Sequence, residues 1–401
     1  VSLVVQKFGG TSVGDAERLK RVAGRVAESH ALGHQLVVVV SAMGGVTDSL
    51  VQLAKQMSPA PPSRELDMLL ATGEQTTCAL LAMALAELGV RATSLTGPQA
   101  GIVTDGVHTK ARIVNITPTD IVRLLDAGEV VIVAGFQGQT ADGTLTTLGR
   151  GGSDLTAVAL SAVLKADVCQ IFTDVDGIFT ADPRRVPDAK QLAEIAYDEL
   201  LELAGSGAKV MQLRSVELAK RFGVVFEVRS SITGLPGTTV GETTQMEEVL
   251  VRAVTLDVNQ VKVTLVGLPD TPGTAARVFR ALADRAISVD VIVQNDSHHG
   301  PTPTTDLSFT VEAADRDSAL SALDGRGLGW THITAEPIAK LTVVGVGMRS
   351  HAGVAATIFE TLASLGVNIA MISTSEIRIA VVIAREKSEA ALCAVHAALV
   401  A

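Results

Sequence analysis

A chain of 401 residues that is 47% apolar and carries 36 glycines is long enough for a large core and for more than one domain. Its formal charge of -10 argues against non-specific nucleic-acid binding, which needs a clustered basic face. The three cysteines, Cys78, Cys169 and Cys393, lie too far apart for a disulfide framework or a metal cluster and read as separate thiols in a reducing compartment.

Apolar runs such as Val37–Val40 are far too short to span a bilayer, and no targeting segment precedes the first predicted strand, so a soluble cytoplasmic protein away from membranes is the expectation. That strand, Leu3–Gln6, runs into Lys7, the adjacent glycines Gly9 and Gly10, the hydroxyls of Thr11 and Ser12, and a helix over Asp15–Ala31 with Leu19, Val22 and Val26 on one stripe. Adjacent glycines let backbone N–H groups approach a phosphate, a helix N-terminus adds partial positive charge, and Lys7 adds a full one. A tight strand-to-helix turn needs glycine with or without a ligand, so this stretch leaves both readings open.

Leu36–Val40 is a continuous β-branched run that ends in the small-residue turn Ser41–Thr47, the pattern of a parallel strand buried on both faces. Pro59, Pro61 and Pro62 break a helix, Arg64–Glu87 is helical again and carries Gly73-Glu74, and Val90–Leu95 is a short strand. Thr96–Asp105 reads as a surface loop, Ile121–Asp126 as helix, and Val130–Ala134 as a strand ending in Gly135-Phe136-Gln137-Gly138. Thr146–Asp154 then feeds a small-residue helix, Thr156–Leu164. Asp167–Phe172 is a strand closed by Thr173–Ile178, a later helix is predicted to hold Gly207-Ala208-Lys209, and Val224–Val228 is the last short strand of an αβα domain.

A polar segment, Glu242–Glu248, precedes an internal repeat. Lys262–Gly267, Pro272-Gly273, Val278-Phe279, Leu282-Ala283 and Ile287–Val289 recur as Lys340–Gly345, Ala352-Gly353, Ile358-Phe359, Leu362-Ala363 and Val367–Ile369, at a spacing of 78 residues before the first loop and 80 after it. Each copy continues into another strand, near Leu307–Val311 and Arg378–Ile383. Two small α/β modules follow, expected to pack side by side, and edge-to-edge pairing would make a symmetric cleft between their glycine loops. His298-His299-Gly300-Pro301 reads as an exposed loop.

Lys7, Thr47, Arg150 with Asp154, and Asp174 fall where a parallel sheet gathers its strand ends, the usual place for a site. Asp174 and Asp176 alone suggest a nuclease or a metal hydrolase, yet no HxH, HExxH or cysteine pair supports structural metal ligation. Neither GxxxxGK[ST] nor GxGxxG is present, so any nucleotide is held by another glycine architecture. Arg150, between Gly149 and Gly151-Gly152, can grip a carboxylate or phosphate bidentately, or stand at the surface of a flexible turn.

Lys7–Ser12, Ser41-Ala42-Met43, Gly149–Asp154 and Thr173–Gly177 with Asp182-Pro183-Arg184 closely resemble the aspartate kinase family, from the first strand to a tail of two ACT modules. The resemblance implies an αβα amino-acid-kinase domain over residues 1–245 with a mainly parallel central sheet. Ferredoxin-like ACT modules follow over 246–401, ACT1 at about 262–335 and ACT2 at about 249–261 plus 336–401. It implies phosphorylation of the L-aspartate side chain by ATP with Mg²⁺.

The nucleotide falls to Lys7, Gly9, Gly10, Ser12, Thr173, Asp174, Asp182 and Lys209, and aspartate to Thr47, Glu74, Arg150, Gly152, Ser153 and Asp154. Lys7, Asp154 and Lys209 are the expected catalytic groups. Threonine or lysine effectors are implied at Asp270, Gly273, Ala275, Gln294, Asn368, Ile369, Ser375 and Glu376. The family pattern has an acid after the Asn-Ile pair where this chain has Ala370, so altered or weak feedback is an expectation too. Met246 stands where an internal start would make a short ACT-only subunit, giving a heterotetramer in place of an ACT-mediated homodimer. A kinase for glutamate, acetylglutamate or a nucleotide, and an ACT sensor with a dead kinase domain, are the competing readings.

Overall fold

The computed structural model describes residues 2–208, 210–242, 251–297, 303–324, 327–346, 348 and 352–400. It divides into two units that are not contiguous in sequence: Val1–Phe179, Gln191–Ala204 and Lys209–Gln245 form the first, and Thr180–Lys190, Gly205–Ala208 and Met246–Ala401 the second.

The first unit begins β1 (Leu3–Phe8), α1 (Ala16–Ala31), β2 (Gln35–Val40), α2 (Val46–Met57), α3 (Ser63–Glu87), β3 (Ala92–Leu95), β4 (Ile102–Thr104), β5 (Ile113–Ile116), α4 (Thr119–Asp126) and β6 (Val130–Ala134). It continues β7 (Gln137–Gln139), β8 (Leu145–Thr147), α5 (Gly152–Leu164), β9 (Val168–Thr173), β10 (Glu194–Ala196), α6 (Tyr197–Gly205), α7 (Leu213–Phe222), β11 (Phe226–Ser230) and β12 (Thr238–Gly241). Eight strands make one sheet in the order β10-β12-β11-β9-β1-β2-β6-β3, parallel throughout except at β11/β12.

Helices cover both faces, which is why β2 and β6 read as unbroken apolar runs and are buried almost end to end. On one face α1 lays Leu19, Val22 and Val26 against Leu36, Val38 and Ile132, and Asp15 caps its first turn through the Arg18 N–H. Among the described residues α3 is the one helix long and apolar enough to cross a bilayer, and its buried face carries Asp67 and Glu74.

A second sheet, β5-β4-β7-β8, was not foreseen. Its strands are three or four residues long, too short to show a period, so Thr96–Asp105 looked like loop although it contains β4. Gly207 and Ala208 are not helical either: α6 stops at Gly205, and Gly207 takes a φ of +99°, where an added Cβ would sit 2.8 Å from the Asp257 Cβ.

The second unit contains β13 (Val251–Pro269), α8 (Thr274–Ala283), β14 (Ile292–Ser297), β15 (Thr304–Glu312), α9 (Arg316–Leu323), β16 (His332–Gly345), α10 (Ala352–Ser364), β17 (Ile369–Thr374), β18 (Arg378–Ala384) and α11 (Ser388–Val400). All six strands form one antiparallel sheet, β14-β15-β13-β16-β18-β17. The two copies are therefore joined through their centre and not edge to edge, because β13 and β16, with 19 and 14 residues, are long enough to run through both. One core gathers Val263, Leu265, Val278, Leu282 and Phe309, the other Leu341, Val343, Ile358, Leu392 and Val395. Ala181 and Val186 belong to the latter core, where Val254 donates to the Thr180 carbonyl and Thr180 Oγ1 lies 2.9 Å from His396 Nε2.

Candidate active site

In the first unit the strand after β1 lies on one side of it and the strands after β9 on the other, so a crevice opens past the carboxyl ends of β1 and β9. Lys7 and Phe8 end β1, beside Ile171 and Phe172 of β9, and Gly9 ties the two by donating to the Phe172 carbonyl at 3.1 Å. The following turn is close-packed. A Cβ on Gly10 would meet the Ala42 carbonyl oxygen at 2.8 Å, so the β1–α1 and β2–α2 turns can touch only because this residue has none. Gly10 and Thr11 leave their N–H groups without a hydrogen bond among the described residues, as do Ser153 and Asp154 in the first turn of α5.

Lys7 joins those two turns. Its Nζ lies 2.6 Å from Asp154 Oδ1, with the side chains only 10% and 14% exposed. Buried this far, each charge depends on the other. The α5 turn is shaped by Gly149 and Gly151, both at φ above +70°, and a Cβ on Gly151 would overlap Gln212. Phe136 takes φ +71° without being glycine, fixed by its N–H on Thr156 Oγ1 and its carbonyl on the Leu148 N–H. Gly135 lets the end of β6 come against Ser153.

Glu74 is 4% exposed, and its Oε1 accepts from the Ala42 N–H at 3.1 Å. The approach depends on Gly73, where a Cβ would stand 2.9 Å from that of Ala42. Oε2 is buried with no partner, and desolvation raises the carboxyl pKa to about 7 against the lowering effect of the Ala42 N–H. Arg150 is the opposite case: exposed, and with no hydrogen-bond or ion-pair partner among the described residues. Thr47 stands half-buried in the first turn of α2.

Ser12 Oγ donates to Ser231 Oγ at 2.8 Å, and Ser231 Oγ donates to the Thr173 carbonyl at 3.1 Å. Ser231 is not among the expected site residues, although the pair Ser230-Ser231, one residue beyond the last predicted strand, is a signal of the kind that marks Thr173. Asp174 is exposed and receives the Thr173 hydroxyl. Asp182 belongs to the second unit, where Arg184 grips both carboxylate oxygens and holds its pKa below the usual value. Lys209, Met246 and the His298-His299-Gly300 loop lie outside the described residues. Of the expected effector positions, Asp270, Gly273 and Ala275 surround the start of α8, Gln294 lies in β14, Asn368 precedes β17 and Ile369 begins it, and Ser375 and Glu376 make its turn into β18.

The groups on offer are unpaired N–H groups, a buried lysine, an exposed guanidinium and a buried carboxyl with one free oxygen. They suit transfer of a phosphoryl group to a small zwitterion. The amino acid kinase family profile matches residues 2–230, and an ACT domain profile matches 263–326 and 341–399. An aspartokinase of Mycolicibacterium smegmatis is 50% identical over 99% of this chain and 96% of its own, and one of Thermus thermophilus is 49% identical over 99% and 98%. The structure of E. coli aspartokinase III in complex with aspartate and ADP (R-state) superposes with a TM-score of 0.84 at 28% identity over 100% of both chains. The same enzyme with lysine and aspartate (T-state) gives 0.77 at 28% identity over 99% of both.

Proposed function

The chain belongs to the aspartokinase family, and we propose that it carries out the corresponding reaction, in which ATP phosphorylates the side-chain carboxylate of L-aspartate to give 4-phospho-L-aspartate and ADP. The observation that carries this reading is the Lys7–Asp154 contact, which links a glycine turn suited to phosphate with the α5 turn bearing Arg150 and Ser153.

The attacking carboxylate is already an anion and needs no strong general base. An oxygen–phosphorus bond forms to the γ-phosphorus as the bond to the bridging oxygen breaks, and ADP leaves with that electron pair. The protein has to align two anions and offset their repulsion. Lys7, held by Asp154, and the free N–H groups of Gly10 and Thr11 stabilise charge on the phosphoryl oxygens, with Gly9 and Ser12 shaping that turn and Lys209 assisting. Thr173 and Asp174 hold the rest of the nucleotide.

Arg150 binds the α-carboxylate of aspartate and Glu74 its ammonium, while Thr47, Gly152 and Ser153 line the space between. Mg²⁺ would come as the partner of the ATP phosphates and would screen their charge.

Within the second unit, residues 246–401, with the interleaved ACT1 and ACT2 given above, are the regulatory region and respond to threonine, lysine or both. We place the protein in the cytoplasm, in amino-acid biosynthesis toward lysine through diaminopimelate, threonine and methionine. It works as an ACT-mediated homodimer or with a short ACT-only subunit begun at Met246. Hydroxylamine trapping tests the reaction. An acyl hydroxamate should form only when ATP and aspartate are both present; a hydroxamate with glutamate but none with aspartate would overturn the assignment.

A further inference from the structure

Asp67 is fully buried, yet nothing in the reaction above uses it. A carboxyl group in such a place is costly unless its oxygens are satisfied, and an apolar residue would pack α3 at no such cost. Its partners converge on one place. Oδ1 accepts from Thr147 Oγ1 at 2.5 Å and from the Thr109 N–H at 3.0 Å, and Oδ2 lies 2.6 Å from His108 Nδ1.

Both partner segments lead to the Arg150 turn. Thr147 ends β8, three residues before Arg150. Thr109 is a β-branched residue at φ +66°, a conformation that persists only where its surroundings over-determine it. Its carbonyl oxygen bears on Gly149, where an added Cβ would stand 3.0 Å away. The Ala111 N–H donates to the Thr147 carbonyl at 2.9 Å, and Arg214 closes the far side by donating to the carbonyls of Leu148 and Ala111. Asp67 also shares the buried face of α3 with Glu74. One helix thus carries both a proposed ammonium ligand and the anchor of the turn that holds the proposed carboxylate ligand.

We infer that Asp67 is a positioning residue for aspartate recognition, fixing the Gly149–Arg150 turn through Thr109 and Thr147 at the distance from Glu74 that an α-amino acid needs. The inference rests on the reading of Arg150 as the α-carboxylate ligand.

A double-mutant cycle of Asp67→Asn and Arg150→Ala tests it, with steady-state kinetics for both substrates and melting temperature as the folding check. Asn keeps one acceptor oxygen and loses the other. Asp67→Asn should raise the KM for aspartate about tenfold, while the KM for ATP and kcat stay within about twofold, since misplacing a binding group disturbs alignment of its own ligand first. In the Arg150→Ala background the same change should add less than about twofold, because the two residues act in series. Equal effects in both backgrounds, or parallel losses in all three constants, would show a merely structural role. If Asp67→Asn does not yield folded protein, Thr147→Val replaces it in the cycle, with a rise of about threefold expected. An Arg150→Ala enzyme with unchanged aspartate KM removes the Arg150 reading and this inference together. A raised KM there with none from Asp67→Asn removes this inference alone.

Discussion

Lys7 and Lys340 are both buried lysines paired with an aspartate, one in each unit, and their surroundings differ in kind. Lys340 is 1% exposed and pairs with Asp290, which Arg378 also approaches at 4.0 Å. It stands in the middle of β16, whose backbone is bonded to β13 on one side and β18 on the other, so the ladder leaves no backbone group for a ligand. Lys7 stands where parallel strands end, beside a glycine turn and a helix N-terminus whose N–H groups are unpaired. The difference teaches that a buried ion pair becomes a site through the backbone around it. The repeat underlines this: Asp290 and Lys340 correspond to Ala370 and Lys262 in the other copy, so the pair is made once, as a joint between the copies.

The same substitution in both lysines should separate the two cases most widely. Lys7→Met is expected to lower kcat by about 10²–10³-fold, the usual effect of losing one charge-stabilising group at a transferring centre. A kcat within twofold of the unmodified enzyme would take Lys7 out of the chemistry.

Glu74 gives the next effect, through pH. Its folded pKa, about 7, stands above the ordinary carboxyl value of 4.5, so the native state holds the proton more tightly and loses stability as pH rises between those values. Glu74→Gln should therefore stabilise the free enzyme by up to about 3 kcal/mol at pH 8 and by little at pH 4.5, read from denaturant midpoints. Because the ammonium of aspartate wants the ionised form, the KM for aspartate should rise as pH falls below about 7 in the parent enzyme and stay flat in the variant. A parallel pH dependence in both would separate Glu74 from the substrate.

Arg150→Ala comes third, with the KM for aspartate up about tenfold or more and the KM for ATP unchanged, as expected for loss of a charged hydrogen bond. The smallest effect belongs to Lys340→Met: about 1–3 kcal/mol of stability, reduced by the partial exposure of Asp290, with kcat within twofold. A large loss of kcat there would erase the contrast between the two pairs.

The strands that frame the candidate site are legible in the sequence because they are buried on both faces. Runs such as Val37–Val40 and Val130–Ala134 are short, β-branched and bounded by small-residue turns, which favours a strand over a buried helix, and the residues after them fall at one end of the sheet. What escaped reading depends on partners distant in sequence. Asp67 looks like any acid on a helix until Thr109 and Thr147 are brought to it, and Thr109 and Phe136 have backbone angles that no residue-type preference suggests. Thr180–Lys190 follows its strand as an ordinary loop, and its membership of the second unit rests on Val254, Leu256 and Leu392, far along the chain.

Single-turnover phosphoryl transfer in Lys7→Ala, run beside calorimetric binding of aspartate, tests most directly whether Lys7 acts on the moving phosphoryl group. The expected result is a rate lower by at least about 10²-fold with the aspartate Kd within about twofold of the parent. A Kd weakened as much as the rate, or a rate that does not fall, would contradict it.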